Sequence, residues 1–406
     1  MATTFKEKIT LLRRQKKLPM YQLAQALSLR VDQLKEIMAQ PTHPKRPELE
    51  AYFYPLQPID QRRLQTLLDE VFGALLFLDY TKAASFIDEL MALEVSYKNS
   101  SHYADYLVTL MALAIHTEDR RINALELYKL LEKVAPFEDG FLQELFDIEW
   151  AAYCFLKGET NTFLQHLTSK LHTFQDERIR AFGHYLLGAN YSQNYTRLND
   201  AITSLKVAQH AFETQANYAR SNQTKVVLQR LYFYTQKYSD YHKLYQMTWT
   251  YAQTHQAPMF INYMEETTAR AQLIQDDFEN AFTLLEKKMY ESHEKYFLTL
   301  YCSYRLQNEA FMKKHFPDIS QHIAPLMHPF LEMGLRWLEA YGLEKAPPLK
   351  AQKILIKHFH QVFAQHDYFF SVLYARWAAG VLKAQRRHKE AYAITQTWMH
   401  IELKVR

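Results

Sequence analysis

Arg30 and Gln33 stand three residues apart in "SLRVDQLKEIM", with Asp32, Lys35 and Glu36 beside them. On one exposed helix face these types can read base edges, since arginine pairs bidentately with guanine and glutamine with adenine. Lys16, Lys17, Tyr21 and Gln22 precede them, and Lys45 and Arg46 follow in "THPKRPELE". Those side chains suit contacts to phosphates. A second set lies far along the chain. Arg230 and Arg270, with Glu266 close by in sequence, offer guanidinium forks for a carboxylate or for backbone carbonyls. The other reading of this set is an internal salt bridge, Arg270 with Glu266 one helical turn away.

Chemistry of the bond-breaking kind finds no support. The sequence contains no GxxxxGK, GxGxxG, HExxH or GxSxG. His358, His360 and His366 are close in sequence, but His358 and His360 would face different sides of a helix. Surface or half-buried histidines are therefore expected rather than a metal site. Cys154 and Cys302 stand far apart without a CxxC and read as buried apolar residues in a reducing compartment. No catalytic residue, metal or cofactor is expected, and the protein is not read as an enzyme.

The first set needs two short helices to hold it. "MYQLAQALSLRVDQLKEIMAQ" predicts a bracing helix over residues 20 to 27 and a reading helix over roughly 31 to 39. Leu23, Leu27, Leu34 and Ile37 would form a small core, with Ala24 at the crossing. That is the arrangement of a helix-turn-helix. A preceding helix, "FKEKITLLRRQKK", would turn Phe5, Ile9 and Leu12 inward and Lys6, Arg13 and Lys17 outward. The turn usually needs glycine for its positive φ. Ser28 stands there instead, at some cost in strain. A helical hairpin that docks on a protein rather than on DNA remains open.

The second set needs a longer scaffold. From about residue 60, apolar residues recur at three and four, with no β-branched alternation. In "RAFGHYLLGANYSQNYTRLNDAITSLKVAQHAFE", Leu187-Gly188 is followed by Tyr191, and then by Ala201, Leu205 and Ala208. This resembles the tetratricopeptide repeat. Second-helix anchors recur at Ala124, Phe163, Ala201, Tyr241 and Ala281, 38 to 40 residues apart, and again at Ala391. The period exceeds the usual ~34 residues of that repeat, so longer helices are expected. Between about 290 and 370 the register is lost, and Pro325, Pro329 and Pro347-Pro348 predict bent or lengthened helices. Stacked pairs would form an all-α, TPR-like right-handed solenoid with a concave groove. Tyr185, Ala189 and Gln193 should line it in one repeat, Gln223, Arg230 and Tyr234 in the next, and Tyr263, Glu266 and Arg270 in the third. Asn190 and Asn194 would sit at its edge. Aromatic runs such as "LYFYTQKYSDYHKLY" read as packing between helices.

Composition agrees with this plan. Of 406 residues only eight are glycine, too few for a fold of many tight turns, while 28 tyrosines and 25 phenylalanines supply large packing groups. The net charge of +4 is uneven: residues 1–63 hold twelve Lys/Arg against six Asp/Glu. A positive field confined to the N-terminal unit favours a polyanion. The N-terminus lacks the apolar core of a signal peptide and no apolar run is long enough for a bilayer, so a cytoplasmic chain is expected.

A helix-turn-helix at 1–58 ahead of a repeat array at 59–406 resembles the RRNPP family of bacterial peptide-pheromone receptors. The length and "RAFGHYLLGANYSQNYTRLNDAITSLKVA" are most similar to its phage arbitrium branch, with NprR-like regulators next. The resemblance implies a cytosolic transcription regulator and homodimer that binds a double-stranded DNA operator and senses a short signalling peptide. It implies that asparagines on groove helices clamp the peptide backbone, a role that falls here on Asn190 and Asn194. The alternative is a Rap-like scaffold that sequesters a protein partner under peptide control without binding DNA.

Overall fold

Apolar side chains at intervals of three and four commit the chain to helices. A computed structural model describes residues 4–40, 42–53, 60–117, 119–316, 329–343 and 368–405, and all of its regular elements are helical. His358, His360, His366, Pro325 and Pro347-Pro348 lie outside the described residues; Pro329 opens a helix. The chain divides into two compact units, Met1–Leu186 with His210–Arg220, and Leu187–Gln209 with Ser221–Arg406. Among the described residues no helix is long and apolar enough to cross a membrane.

The first unit begins with α1 (Phe5–Gln15), α2 (Met20–Ala26), α3 (Val31–Ala39) and α4 (Arg46–Phe53). Thr4 starts α1 with a reciprocal capping box to Glu7. Leu23, Ala24, Leu34 and Ile37 are buried at the α2–α3 crossing, while Leu27 is half-buried. Ser28 has φ 55°, the left-handed value expected of the turn. Next come α5 (Gln61–Leu76), the short helices α6 (Tyr80–Ser85), α7 (Ile87–Ala92) and α8 (Glu94–Asn99), then α9 (Tyr103–Thr117), α10 (Ala124–Leu131), α11 (Gly140–Leu156) and α12 (Thr160–Lys170). Helix α1 packs on α9 and α10, and the Glu138 amide donates to the Glu7 carboxylate at 2.9 Å. Residues 4–53 thus share one unit with the first pairs of the array.

The following helices are α13 (Glu177–Tyr191), α14 (Leu198–Thr214), α15 (Tyr218–Tyr234), α16 (Tyr238–Thr254), α17 (Pro258–Ile274), α18 (Phe278–Leu285), α19 (His293–Arg305) and α20 (Glu309–His315). After the undescribed stretches come α21 (Pro329–Leu338), α22 (Tyr368–Ala384) and α23 (His388–Val405).

One turn design recurs. Leu78, Gly158, Gln236, Asp276, Gln307 and Arg386 all have φ between 57° and 72°. The next amide then bonds back to the closing turn of the first helix, as Lys237 N does to Tyr232 O at 2.8 Å. Five residues beyond each turn residue a second-helix side chain is buried: Ala83, Phe163, Tyr241, Ala281, Met312 and Ala391. Gly188 is the small residue of its pair for a steric reason. A Cβ there would stand 2.6 Å from Leu205 Cγ and 3.2 Å from the Ala201 carbonyl. The register lost after residue 290 returns at Gln307, which follows Asp276 by 31 residues rather than 40. The second helix there, α18, is only eight residues and ends in a 3-10 turn at Glu286–Glu291. Aromatic side chains carry the packing as expected: Phe233 meets Tyr241 edge-on at 5.6 Å, and Tyr374 stacks beside Trp377 at 6.2 Å.

Candidate functional site

Helix α3 turns Leu34, Ile37 and Met38 inward and leaves Asp32, Gln33, Lys35 and Glu36 exposed. Arg30 is its N-cap. The Arg30 amide donates to Gln33 Oε1 at 2.9 Å, and its guanidinium reaches Asp32 at 3.3 Å in an exposed pair. Glu36 accepts from Gln40 at 3.0 Å. Tyr21 is 60% exposed on α2, where its hydroxyl meets the Gln22 amide at 3.2 Å. Lys17 and Lys45 are exposed.

Three basic residues differ from expectation. Arg13, expected outward, is buried: its Nη1 donates to the Leu18 carbonyl at 2.9 Å and closes the α1–α2 turn. Burial, and then the neighbouring Arg14 charge, lower its pKa. Lys16, expected on a phosphate, donates to the Phe53 carbonyl at 3.2 Å and lies 5.5 Å from that ring. Arg46, also expected on the nucleic-acid backbone, stacks its guanidinium 3.7 Å over Phe5. Lys16 and Arg46 hold α1 and α4 together, and sequence distance hid the carbonyl and the ring that capture them.

The second set is assembled in the second unit. Arg230 projects from α15, Glu266 and Arg270 from α17, and Glu294 from the first turn of α19. Glu266 lies 3.7 Å from Arg230 and 3.1 Å from Arg270, and Arg270 lies 2.5 Å from Glu294. The i,i+4 salt bridge is therefore present, and it belongs to a network spanning three helices. Burial raises the Glu294 pKa and the Glu266 charge adds to that, against the pull of Arg270 and Arg230. The Arg270 guanidinium also lies 5.0 Å over the Phe369 ring of α22, and only 11% of its side chain is exposed. An incoming anion would meet Arg230 first, then compete with Glu266 and Glu294 for Arg270.

The other expected groove residues scatter in role. Asn190, near the end of α13, is 8% exposed, and among the described residues none hydrogen-bonds its side-chain amide. Gln193 and Asn194 lie past the end of α13, in the turn. The Asn194 carboxamide caps the next turn through its oxygen, accepting from Thr196 N at 3.0 Å and from its hydroxyl at 2.8 Å. Ala189 is buried rather than lining a groove. Gln223 and Tyr263 are half-buried. Tyr185, in the first unit, is half-buried and stacks on Phe182 at 6.2 Å.

Several polar groups had no sequence signal. Glu294 is one. Another is the pair His116 Nε2 to Glu149 Oε2 at 2.9 Å, largely buried, with Tyr80 stacked 5.8 Å from the imidazole. A third is Lys288, held by Glu265 at 2.6 Å and Asn262 at 3.0 Å. Each joins residues 23 or more apart, beyond the reach of helical periodicity. Both cysteines are buried, and burial pushes both thiols up to about 12, so they stay protonated and unreactive at neutral pH. Among the described residues no group of histidine, cysteine or carboxylate side chains is arranged to hold a metal. No family model matches the sequence, and no curated protein is significantly similar to it.

Proposed function

We propose that the protein is a transcription regulator whose α2–α3 pair binds DNA as a helix-turn-helix and whose TPR-like helical array is switched by a short peptide, in the manner of the RRNPP receptors it resembles. The observation that carries the DNA reading is helix α3. It sits behind a left-handed Ser28 turn, with three apolar residues buried and Asp32, Gln33, Lys35 and Glu36 outward. For the peptide, support comes from the Arg230–Glu266–Arg270–Glu294 network and from the Asn190 amide. A peptide carboxylate would replace a glutamate on the arginines, and a peptide amide would supply the hydrogen bond Asn190 lacks. A homodimer would place two reading helices on paired half-sites.

The test is a genomic-fragment selection followed by anisotropy on the selected site. Arg30→Ala or Gln33→Ala should cost about 1–3 kcal/mol on that site and little on unrelated duplex. Equal binding by variants and wild type would remove the reading-helix assignment. A protein-docking role has one observation in its favour: Asp32 and Glu36 place two exposed carboxylates on α3, and these repel phosphates. Absence of duplex binding at low salt, with a protein captured through α3, would establish that reading instead.

A further inference from the structure

A cleft of about 680 Å³ lies in the first unit between the α1–α2 turn and α10. Arg13, Arg14, Lys17, Lys129 and Lys133 line it against one carboxylate, Glu126. Arg13 is engaged by the Leu18 carbonyl. Among the described residues, none forms a hydrogen bond or ion pair with the side chains of Arg14, Lys17, Lys129 or Lys133. Even Glu126 and Lys129, one helical turn apart, make no ion pair. Four unneutralised cations around one concavity repel one another and leave a strong positive field in it. The backbone that carries them is held in place, because α1 packs on α10 and the Glu138 amide is bonded to Glu7. Lys17 itself has φ 51°, a backbone state unusual for a side chain of its size, and this turn carries its side chain into the cleft lining.

We propose that this cleft holds the phosphate backbone of duplex DNA, so that Lys129 and Lys133 of the array bind nucleic acid together with the N-terminal helices. The inference rests on the DNA-binding reading of α2–α3. The cleft adjoins that pair, since Met20, the first residue of α2, is part of its wall. In a helix-turn-helix the first helix crosses the DNA backbone, so a duplex seated on α3 would pass the start of α2, where the unpaired cations are. Leu18 and Leu130, also in the lining, offer an apolar wall that suits deoxyribose. Phosphate contacts of this kind add affinity without sequence preference.

The experiment is fluorescence anisotropy with a labelled mixed-sequence duplex of about 30 base pairs, titrated across a range of potassium chloride. The K129A/K133A double variant should bind more weakly and lower the slope of log K against log salt by about 1.8, two released counterions at about 0.9 each. Glu126→Gln should bind about twofold to fivefold more tightly, because a screened like charge is removed; a folding defect would not produce a gain. Duplex binding by wild type, with an unchanged slope in the double variant and no gain in Glu126→Gln, overturns the cleft assignment and leaves α3 standing. If wild type binds no duplex at low salt, the DNA reading itself fails and takes this inference with it.

Discussion

Glu294 shows how one residue sets the behaviour of its neighbours. Burial holds its carboxyl above the usual range, with Glu266 pushing the same way and Arg270 opposing. The sign of the pH effect follows. The protonated form is favoured in the folded state, so this contribution to stability is complete below the ordinary carboxylate pKa. It is lost as pH rises through the raised value. Glu294→Gln should therefore gain stability relative to wild type as pH rises above the ordinary carboxylate range. Urea midpoints at several pH values would measure this, and parallel curves for the two proteins would refute it. The i,i+4 relation of Glu266 and Arg270 was visible in the sequence because one helix fixes both. Glu294 was not, because its approach depends on how α19 packs beside α17. The same reason hid the carbonyl that takes Lys16 and the ring that takes Arg46.

At the scale of the element, the helical pair is built from two demands. A small residue is needed where helices cross, and a left-handed residue where the chain reverses. Gly188→Ala drives a methyl against Leu205 and the Ala201 carbonyl. The expected loss is about 1–3 kcal/mol, read from denaturant midpoints. Gln307 shows the second demand, with φ 57° on an exposed non-glycine residue. Gln307→Gly relieves about 1–2 kcal/mol of left-handed strain and loses about 0.5–1 kcal/mol to backbone entropy. A modest rise in melting temperature is the expected outcome, and a fall would show that the Gln307 side chain is worth more than the strain. Most anchors were legible because they repeat at a near-constant spacing. The spacing failed after residue 290, where α18 stops after eight residues and a 3-10 turn replaces the rest. A shortened helix leaves no periodic trace.

At the scale of the whole molecule, the first unit closes over a great sequence distance. Arg220 donates from Nε to the Leu76 carbonyl at 3.1 Å and from Nη2 to the Leu75 carbonyl at 3.0 Å, and lies 4.5 Å over Phe182. Asn217 donates to the Leu76 carbonyl as well, at 3.0 Å. These bonds satisfy the carbonyls left open at the end of α5. Arg220→Ala should cost about 1–3 kcal/mol in urea unfolding. Arg220→Lys should recover little, since an ammonium cannot bond both carbonyls while stacking on the ring. Full stability in the lysine variant would disprove the forked role. By itself the sequence determined the helical class, the α2 and α3 boundaries, the Ser28 turn and the crossing at Gly188, because each depends on residues within a few turns of one another. Only the tertiary structure decided which cations are captured and which stay open, that three helices bring Arg230, Arg270 and Glu294 to one carboxylate network, and that α5 is closed by Arg220. Those pairings depend on where separate helices come to rest, and local periodicity carries no record of that.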